Sequence, residues 1–485
     1  MAFSLIAYIK QYTMNKVNLT ILSLAITTAV CAQAPKQVLP TKQQLAWHDM
    51  EYYWFVHFGP NTFTDKEWGH GDEQADIFNP SALDCRQWAR IAKASGAKGI
   101  IITAKHHDGF SLWPSKFSKH TVRESAWRNG KGDVLKELSQ ACKEYGLKFG
   151  VYLSPWDRNH PQYGTPAYND VYINTMKELV TKYGPFFEFW WDGANGEGPN
   201  GKKQVYDFKR FERTIRAIAP NTVVFSDIGP DIRWVGNEKG IAGETNWNYL
   251  DTAGFLRGLG APPNDTLSQG NINGKSWIPA ECDVSIRPGW FYHAQEDDKV
   301  KTPQQLFDLY LKSVGRGSTL LLNVPPDRRG LINEKDSASL MGFRALRDES
   351  FANNVAFGSA AELHTNGSIF KLTKFTDGDT KSSAKITDHK NASVWIKFDS
   401  TKKINCIVLQ EDITKGQFVK SAQVILLNGL QEIKKIPVTT IGRKRILVFP
   451  AQDVSSIRLL VTDAKAAPSI NEVAAYHIPE MLTAL

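Results

Sequence analysis

Residues 186–193 (FFEFWWDG) are the most informative segment of this sequence. The apolar and aromatic run is typical of a strand buried on both faces, and it ends on Asp192 followed by a glycine. Barrels of the (β/α)8 type place their catalytic side chains at such strand ends. Asp-Gly is also a common turn signal, so Asp192 could instead cap the next turn. The sequence on either side favours the catalytic interpretation.

Strand and helix patterns alternate over the first two thirds of the chain. The predicted strands are 52–58, 99–103, 148–153, 186–191, 222–225 and 318–324, and the predicted helices are 82–94, 133–145, 171–183, 206–219, 302–314 and 334–347. Such alternation builds parallel βα units, so residues 33–350 are predicted to form a (β/α)8 TIM-like barrel. A doubly wound Rossmann sheet is the alternative, but no glycine-rich phosphate turn follows the first predicted strand.

The pattern changes near residue 350, where helical periodicity stops. Short segments of alternating polarity follow at 392–398, 404–409, 422–426, 445–449 and 456–461, separated by turn residues. Residues 351–485 are therefore predicted to form an all-β sandwich.

The composition is that of a globular chain with a sugar-binding bias. The 485 residues include 14 Trp, whose rings stack on the C–H faces of pyranoses, although large barrels also use Trp in their cores. The net charge of +8 is dispersed without a basic run, so nucleic acid is not a predicted partner. Cys85 and Cys142 lie in helical patterns and are predicted to be buried thiols rather than a disulfide.

The N-terminus has the pattern of a secretory signal peptide. An apolar run over residues 21–30 is followed by small residues suited to cleavage, so residues 1–32 are predicted to be removed, with Met14 as the true start. The predicted signal peptide implies export to the periplasm. Cys31 offers a lipoprotein anchor as an alternative, which Val30 before it disfavours. No other stretch is long and apolar enough to span a bilayer.

Polar and aromatic side chains gather at the predicted C-terminal strand ends. They are His57, His106, His107, Tyr152, Asp192 and Asp227, with indole rings from Trp54, Trp68, Trp190 and Trp191. These ends meet at one mouth of a barrel, so we expect the groups to converge. Adjacent residues on a strand point in opposite directions, so His106 and His107 can share a site only if the strand has already ended. Carboxylates, donors and Trp faces without a metal or nucleotide signature are typical of a glycoside hydrolase, and no metal site or cofactor is predicted.

Five motifs follow one another at predicted strand ends or in the loops after them. They are residues 57–59 (HFG), 67–69 (EWG), 105–110 (KHHDGF), 152–155 (YLSP) and 190–193 (WWDG). Together they resemble the family 29 α-L-fucosidases, over about residues 45–350. The resemblance implies an exo-acting, retaining, metal-independent enzyme that removes terminal α-L-fucose from oligosaccharides or glycoconjugates.

The resemblance also implies residue roles. Asp192 corresponds to the nucleophile. The fucose subsite corresponds to His57, Glu67, Trp68, His106, His107, Tyr152 and Trp190. In this assignment the histidines and Glu67 hold ring hydroxyls, and the Trp faces pack against the ring and its C6 methyl group.

Three glutamates are candidates for the acid/base: Glu238, Glu244 and Glu281. The run over residues 233–238 (RWVGNE) resembles the branch that cleaves α-1,3 and α-1,4 fucosides, where its Glu is the acid/base, so Glu238 is the preferred assignment. Arg233 is assigned to substrate binding. With it, Trp234, Asn237, Asn246 and Trp247 are expected to form a second pocket for a neighbouring galactose.

The C-terminal segment resembles discoidin-like, galactose-binding-like modules through residues 375–379 (FTDGD) and the strand 395–398 (WIKF). Some such modules hold calcium in the acidic loop, so a structural calcium ion is an expectation for this domain. Two alternative functions remain for the whole chain: another retaining exo-glycosidase, such as a galactosidase, or a carbohydrate-binding protein that has lost catalysis.

Overall fold

The computed structural model describes residues 38–387 and 392–483. The predicted signal peptide, the start at Met14 and the lipoprotein alternative at Cys31 lie outside these residues. Within them, none of the helices is long and apolar enough to cross a membrane.

Eight parallel strands close into a barrel, which confirms the (β/α)8 prediction over the Rossmann alternative. The strands of this half of the chain are β1 Tyr52–Val56, β2 Gly99–Lys105, β3 Lys148–Leu153, β4 Glu188–Trp190, β5 Val223–Ser226, β6 Ile232–Trp234, β7 Tyr249–Leu250, β8 Ser276–Trp277, β9 Ala280–Ser285 and β10 Thr319–Asn323. The barrel order is β1-β10-β9-β6-β5-β4-β3-β2, and β7 pairs with β8 in a separate antiparallel ribbon. Both strands of the ribbon lie in the long connection between β6 and β9, where the sequence pattern was least regular.

Helices surround the barrel, and capping side chains set the starts of six of the nine. They are α1 Lys42–His48, α2 Pro60–Thr64, α3 Cys85–Ala94, α4 Val134–Tyr145, α5 Ala167–Tyr183, α6 Phe208–Ile218, α7 Asn264–Gln269, α8 Pro303–Lys312 and α9 Glu334–Ser350. Asp84, Asp133 and Asp207 accept backbone N–H groups at the first turns of α3, α4 and α6. These caps explain why the three helices begin one to three residues later than the periodicity predicts.

The barrel strands are buried on both faces, and alternation along β1 separates two cores. Tyr53 and Phe55 belong to the cluster inside the barrel, whereas Trp54 belongs to the layer between strands and helices. Side chains two residues apart share a face, so His57 continues the inward side of β1 at the mouth.

The C-terminal residues form the predicted antiparallel β-sandwich. Its strands are β11 Ala360–Thr365, β12 Ser368–Leu372, β13 Ala384–Lys385, β14 Ala392–Glu411, β15 Val419–Asn428, β16 Gln431–Val438, β17 Arg445–Ala464 and β18 Ser469–Tyr476. The two long strands β14 and β17 each join two segments that the pattern kept apart, because register shifts near Lys397 and Lys402 let one strand continue past an irregularity.

The calcium expectation and the discoidin resemblance stay predictions. In the acidic loop Asp377 accepts a hydrogen bond from the Ser382 hydroxyl at 2.8 Å, and the Gly378 N–H donates to Glu472 at 3.1 Å. Across the described residues, no group of three or more His, Cys, Asp or Glu side chains could hold a metal ion.

The thiol prediction is confirmed. Cys85 and Cys142 are free and buried, as are Cys282 and Cys406.

Candidate active site

A cavity of about 200 Å³ opens at the C-terminal ends of the barrel strands, and we call it the mouth cavity. It is lined by Phe55, His57, Glu67, Trp68, His106, His107, Tyr152, Trp190, Asp192, Ala194, Glu238, Asp283 and Trp290. Nine of the ten site residues predicted from sequence are therefore brought together, and Arg233 is the exception. The cavity is smaller than the roughly 300–1,000 Å³ of pockets for drug-sized ligands, so it suits a single sugar ring.

Asp192 follows β4 and is held by donors on both carboxylate oxygens. The Tyr152 hydroxyl donates to Oδ2 at 2.8 Å, and the Ala194 N–H donates to Oδ1 at 2.7 Å. The turn-capping and catalytic interpretations are thus both compatible with the geometry, because one oxygen caps the turn and the carboxylate still lines the cavity. The turn needs a glycine, since a Cβ on Gly193 would lie 2.0 Å from an oxygen of Asp227.

His106 and His107 lie just past the end of β2, and both rings reach the mouth cavity with centroids 4.1 Å apart. The Ser154 hydroxyl donates to the Trp156 carbonyl at 2.7 Å, so its oxygen accepts the N–H of His107 Nδ1 at 2.8 Å. His107 Nε2 lies 3.7 Å from Asp192 Oδ2. Burial lowers the pKa of His107, which Asp192 only partly opposes, so the ring is neutral and Nε2 is an acceptor.

His57, like His107, donates its Nδ1–H to a buried oxygen. Asn323 donates its amide N–H groups to Ser285 and to the Trp290 carbonyl, so its oxygen accepts from His57 Nδ1 at 2.9 Å. Burial lowers the pKa of His57 to about 3. Burial likewise holds the pKa of His106 well below its ordinary value. All three rings are therefore uncharged at neutral pH, and His57 and His107 each present a bare Nε2.

Glu67 ties the loop after β1 to the loop after β9. Its carboxylate accepts the Trp290 N–H at 2.7 Å and bonds His293 Nε2 at 2.6 Å, and the other ring nitrogen of His293 bonds Asp65 at 2.8 Å. Burial opposes protonation of His293, but the two carboxylates outweigh it and raise its pKa. Glu67 is thus fixed at the cavity wall by a charged partner behind it.

The three candidate acids lie in different places. Glu238 lines the mouth cavity, and the Trp290 indole N–H donates to it at 3.3 Å. The side chain of Glu244 is 79% exposed and its backbone carbonyl accepts from Thr439 of the sandwich. Glu281 is fully buried inside the barrel. Of the three, Glu238 alone lines the mouth cavity.

Arg233 does not contact the mouth cavity, which corrects the prediction. Its side chain is fully buried and donates to the carbonyls of Leu267, Ile278 and Trp247 and to the Asn246 side chain. Burial lowers its pKa to about 9. Arg233 therefore holds the connection between β6 and β9 in place through buried hydrogen bonds.

The expected second pocket is not formed by Arg233, Asn246 and Trp247, because all three are buried. The backbone of Asn246 bonds Thr440 at 2.9 Å and Gln417 at 2.8 Å, both from the sandwich. This segment is therefore held by the sandwich. Asn237 instead shapes the turn that carries Glu238, through its bonds to Lys239 and Ile241.

Two of the four tryptophans expected at the mouth face away from it. Trp54 and Trp191 are fully buried in the layer between strands and helices, whereas Trp68 and Trp190 line the cavity. Trp68 is 56% exposed at the rim. Trp190 stacks on Phe225 at 4.0 Å and lies 5.2 Å from the Tyr152 ring.

Sequence reasoning missed Phe55, Asp283 and Trp290 as lining residues. Asp283 accepts the Trp234 indole N–H at 2.9 Å, and burial together with Glu281 and Glu238 raises its pKa well above the ordinary value. Asp227, which was expected at the mouth, is half-buried beside Asp192 and does not line the cavity, and desolvation followed by that charge raises its pKa to about 6. Strand alternation from the inward-facing Glu281 would have identified Asp283.

Of the four acidic side chains that line the cavity, Glu67 is tied to His293 and Asp283 accepts the Trp234 indole N–H, which leaves Asp192 and Glu238 beside uncharged histidine acceptors and aromatic walls. A carboxylate pair of this kind can supply a nucleophile and a proton donor for cleavage of a glycosidic bond. The neutral rings of His57 and His107 can accept hydrogen bonds from sugar hydroxyls.

Comparison with known proteins agrees with this chemistry. The model of the family "Alpha-L-fucosidase" matches residues 35–344. "Alpha-L-fucosidase 1" of Arabidopsis thaliana is 41% identical over 447 residues, which cover 90% of this chain and 87% of that protein.

Two solved structures are similar along most of their length. A glycoside hydrolase 29 family member from an unknown rumen bacterium is 40% identical with a TM-score of 0.81, covering 91% of this chain and 78% of that one. A GH29 fucosidase from Ruminococcus gnavus in complex with fucose is 30% identical with a TM-score of 0.82, covering 92% and 96%.

Proposed function

The chain belongs to the α-L-fucosidase family of glycoside hydrolases, and from that premise we propose that it releases terminal α-L-fucose by a retaining mechanism through a fucosyl ester of Asp192. The observation that carries the proposal is the double anchoring of Asp192, by Tyr152 and by the Ala194 N–H, on the same cavity as Glu238. A carboxylate so held cannot swing away, which favours attack on a bound anomeric carbon.

In the first step an oxygen of Asp192 bonds to the anomeric carbon while the glycosidic C–O bond breaks. Glu238 gives its proton to the departing oxygen. In the second step Glu238 accepts a proton from water, the water oxygen bonds to the anomeric carbon, and the ester bond to Asp192 breaks. The Tyr152 hydroxyl stabilises the carboxylate that re-forms.

Recognition of fucose is proposed to divide between the polar and aromatic walls. The bare Nε2 atoms of His57 and His107 accept hydrogen bonds from sugar hydroxyls, as does the Glu67 carboxylate, which also lines the cavity. Phe55 and Trp290 offer apolar surface for the C6 methyl group. The small cavity volume supports exo action on one terminal residue.

Proton NMR of early product tests the mechanism. A retaining enzyme releases α-L-fucose first, and the β anomer appears later by mutarotation; β-L-fucose as the first product would contradict the fucosyl ester. Asp192→Ala is expected to lose nearly all turnover and to recover part of it with added azide, which enters the vacated space. Asp207→Ala is the matched control, since it removes a carboxylate that caps α6 and pairs with Arg210, away from the mouth cavity.

We further propose a preference for α-1,3/1,4-linked fucose. The proposal depends on the resemblance of residues 233–238 to that branch, and the physical support comes from the rim. Trp68 is largely exposed beside the cavity, and the Trp290 indole lies against Glu238, so an adjoining sugar has aromatic surface near the scissile bond. Binding energy from that sugar can then lower the barrier rather than only KM.

Three substrates compared side by side test the preference: a Lewis trisaccharide, the matching fucosyl-N-acetylglucosamine disaccharide and 2′-fucosyllactose. The expected order of kcat/KM is trisaccharide, disaccharide, then 2′-fucosyllactose. Equal values on all three would remove the preference and leave a general fucosidase.

We also propose that the protein is exported and periplasmic after loss of residues 1–32. The support is the charge and hydropathy pattern of that segment. Cell fractionation with N-terminal sequencing of the mature protein tests this, and an intact N-terminus in the cytoplasmic fraction would refute it.

A further inference from the structure

Two glutamates lie buried in the barrel interior beneath the mouth cavity. Glu188 begins β4 and Glu281 lies in β9, and neither is exposed to solvent. Two residues further along the same strands, on the same faces, are the cavity residues Trp190 and Asp283. The glutamates therefore form the layer directly under the floor of the cavity.

Hydrogen bonds link this pair to the cavity floor. The Trp190 indole N–H donates to Glu281 Oε1 at 2.9 Å, and the Tyr53 hydroxyl donates to Oε2. The Trp47 indole N–H donates to Glu188 Oε2 at 3.0 Å. The other oxygen of Glu188, Oε1, is buried without a hydrogen-bond partner.

The position of the Trp190 ring affects the position of the Asp192 carboxylate, because Tyr152 contacts both. Its ring is stacked on Phe225 at 4.0 Å and tilted against Tyr152 at 5.2 Å. Tyr152 in turn donates to Asp192 at 2.8 Å. The stacking leaves the indole free to slide in its plane, and the bond to Glu281 fixes its position in that plane.

Burying these two carboxyl groups lowers the free energy of unfolding, which argues against a purely structural role for them. Burial raises the pKa of Glu188 well above its ordinary value, and Glu281 adds to the effect. Apolar residues of similar volume in place of a buried polar group are often neutral or stabilising. Polar groups retained at such a site, one layer below a catalytic cavity, point to a role in activity.

We propose that Glu281 is a positioning residue that fixes the Trp190 indole and, through Tyr152, the attack geometry of Asp192. The inference rests on the proposed function, because Trp190 and Asp192 act there as sugar-binding and nucleophilic groups. Nothing in the interaction requires Glu281 to touch substrate.

Steady-state kinetics of Glu281→Leu and Glu281→Gln on an aryl α-L-fucoside test the role. Leucine fills the volume but removes the acceptor of the Trp190 N–H, and a small displacement of reacting groups can cost about 100-fold, so kcat is expected to fall by about 10- to 100-fold with KM little changed. Glutamine keeps an acceptor oxygen and is expected to restore kcat to within about threefold of wild type.

Glu178→Leu is the matched control. Glu178 is another buried glutamate that accepts a Trp indole N–H, from Trp113 at 3.0 Å, but it lies on α5 outside the barrel. Its substitution is expected to lower the Tm and leave the kcat of the folded protein unchanged. Thermal unfolding of every variant reports the folded fraction, so that a loss of turnover is separated from a loss of fold.

A double-mutant cycle tests the route through the indole, because Trp190→Phe removes the same hydrogen bond from the other side. Where Glu281→Leu folds poorly, Glu281→Met, which also lacks the carboxylate acceptor, takes its place. If Glu281 acts through the indole N–H, Glu281→Gln and Glu281→Leu have equal kcat in the Trp190→Phe background.

Three results would overturn the proposal: full kcat in folded Glu281→Leu, a Glu281→Gln variant as impaired as Glu281→Leu, or an unchanged effect of the substitutions in the Trp190→Phe background. These comparisons measure relative rates of fucose release, which do not depend on which anomer of fucose is formed first. A β-first product would refute the fucosyl ester while leaving the Glu281 test readable.

Discussion

Tyr152→Phe isolates the hydrogen bond that holds Asp192. The hydroxyl is buried and donates to Asp192 Oδ2 at 2.8 Å, and the ring packs beside Trp190 and His106. Phenylalanine keeps the ring and removes only the donor. A hydrogen bond to a charged group contributes about 1.5–3 kcal/mol. At about 1.36 kcal/mol per factor of ten in rate, this predicts a loss of about 10- to 150-fold.

The loss should fall mainly on the second chemical step. In the proposed first step Asp192 gives up negative charge, whereas in the proposed second step the carboxylate re-forms and needs the donor most. With an aryl fucoside that has a good leaving group, stopped-flow absorbance is therefore expected to show a burst of phenolate followed by slow turnover. Intact-protein mass spectrometry should show the ester accumulating in the variant.

Tyr172→Phe is the control for loss of a buried tyrosine hydroxyl nearby. Tyr172 donates to the Leu153 carbonyl at 2.7 Å, at the end of the same strand, and does not line the mouth cavity. It should lose stability and keep kcat. Wild-type kcat in Tyr152→Phe, or equal losses in both variants, would refute the reasoning.

Further predictions concern stability and the turn that holds Asp192. Arg233→Met should lower the Tm in a thermal melt and leave KM unchanged, because the guanidinium serves only buried acceptors; a raised KM at unchanged Tm would restore the substrate role. Burial lowers the pKa of His48 to about 3 from 6.5, so between those values the unfolded chain binds a proton that the folded chain does not, and stability falls as pH falls. In urea titrations, the free energy of unfolding of His48→Phe should therefore fall less steeply with decreasing pH than that of wild type, by about 1.4 kcal/mol per pH unit between pH 6.5 and 3. The same slope in both proteins would contradict the burial of an uncharged His48. Gly193→Ala should lower kcat, because the added Cβ has no room beside Asp227; wild-type kcat would show that the turn adapts.

Most of the barrel and its mouth follow from local sequence pattern. Strand burial, the position of Asp192 after β4 and the end of β2 before His106 are encoded within a few residues of each other. Once the mouth is located, convergence of His57, His107 and Tyr152 follows from barrel geometry alone. Helix starts shift only where an Asp cap such as Asp84 takes over.

The errors come from partners that lie far away in sequence. Arg233 resembles a surface binding residue until Leu267 and Ile278 are folded against it. Trp54 was misplaced although alternation with Phe55 already directed it outward. Trp290 could not be found from periodicity, because it lies in an irregular loop whose position depends on Glu67.

Identifying the residue that bears the sugar is the most direct test of the account. The enzyme is incubated with a 2-deoxy-2-fluoro fucosyl fluoride, which slows the second step, and is then digested and analysed by tandem mass spectrometry. A single fluorofucosyl adduct on Asp192 is expected, and it is absent from Asp192→Ala. An adduct on Glu238, or labelling of the Asp192→Ala protein elsewhere in the mouth cavity, would contradict the assignment of Asp192.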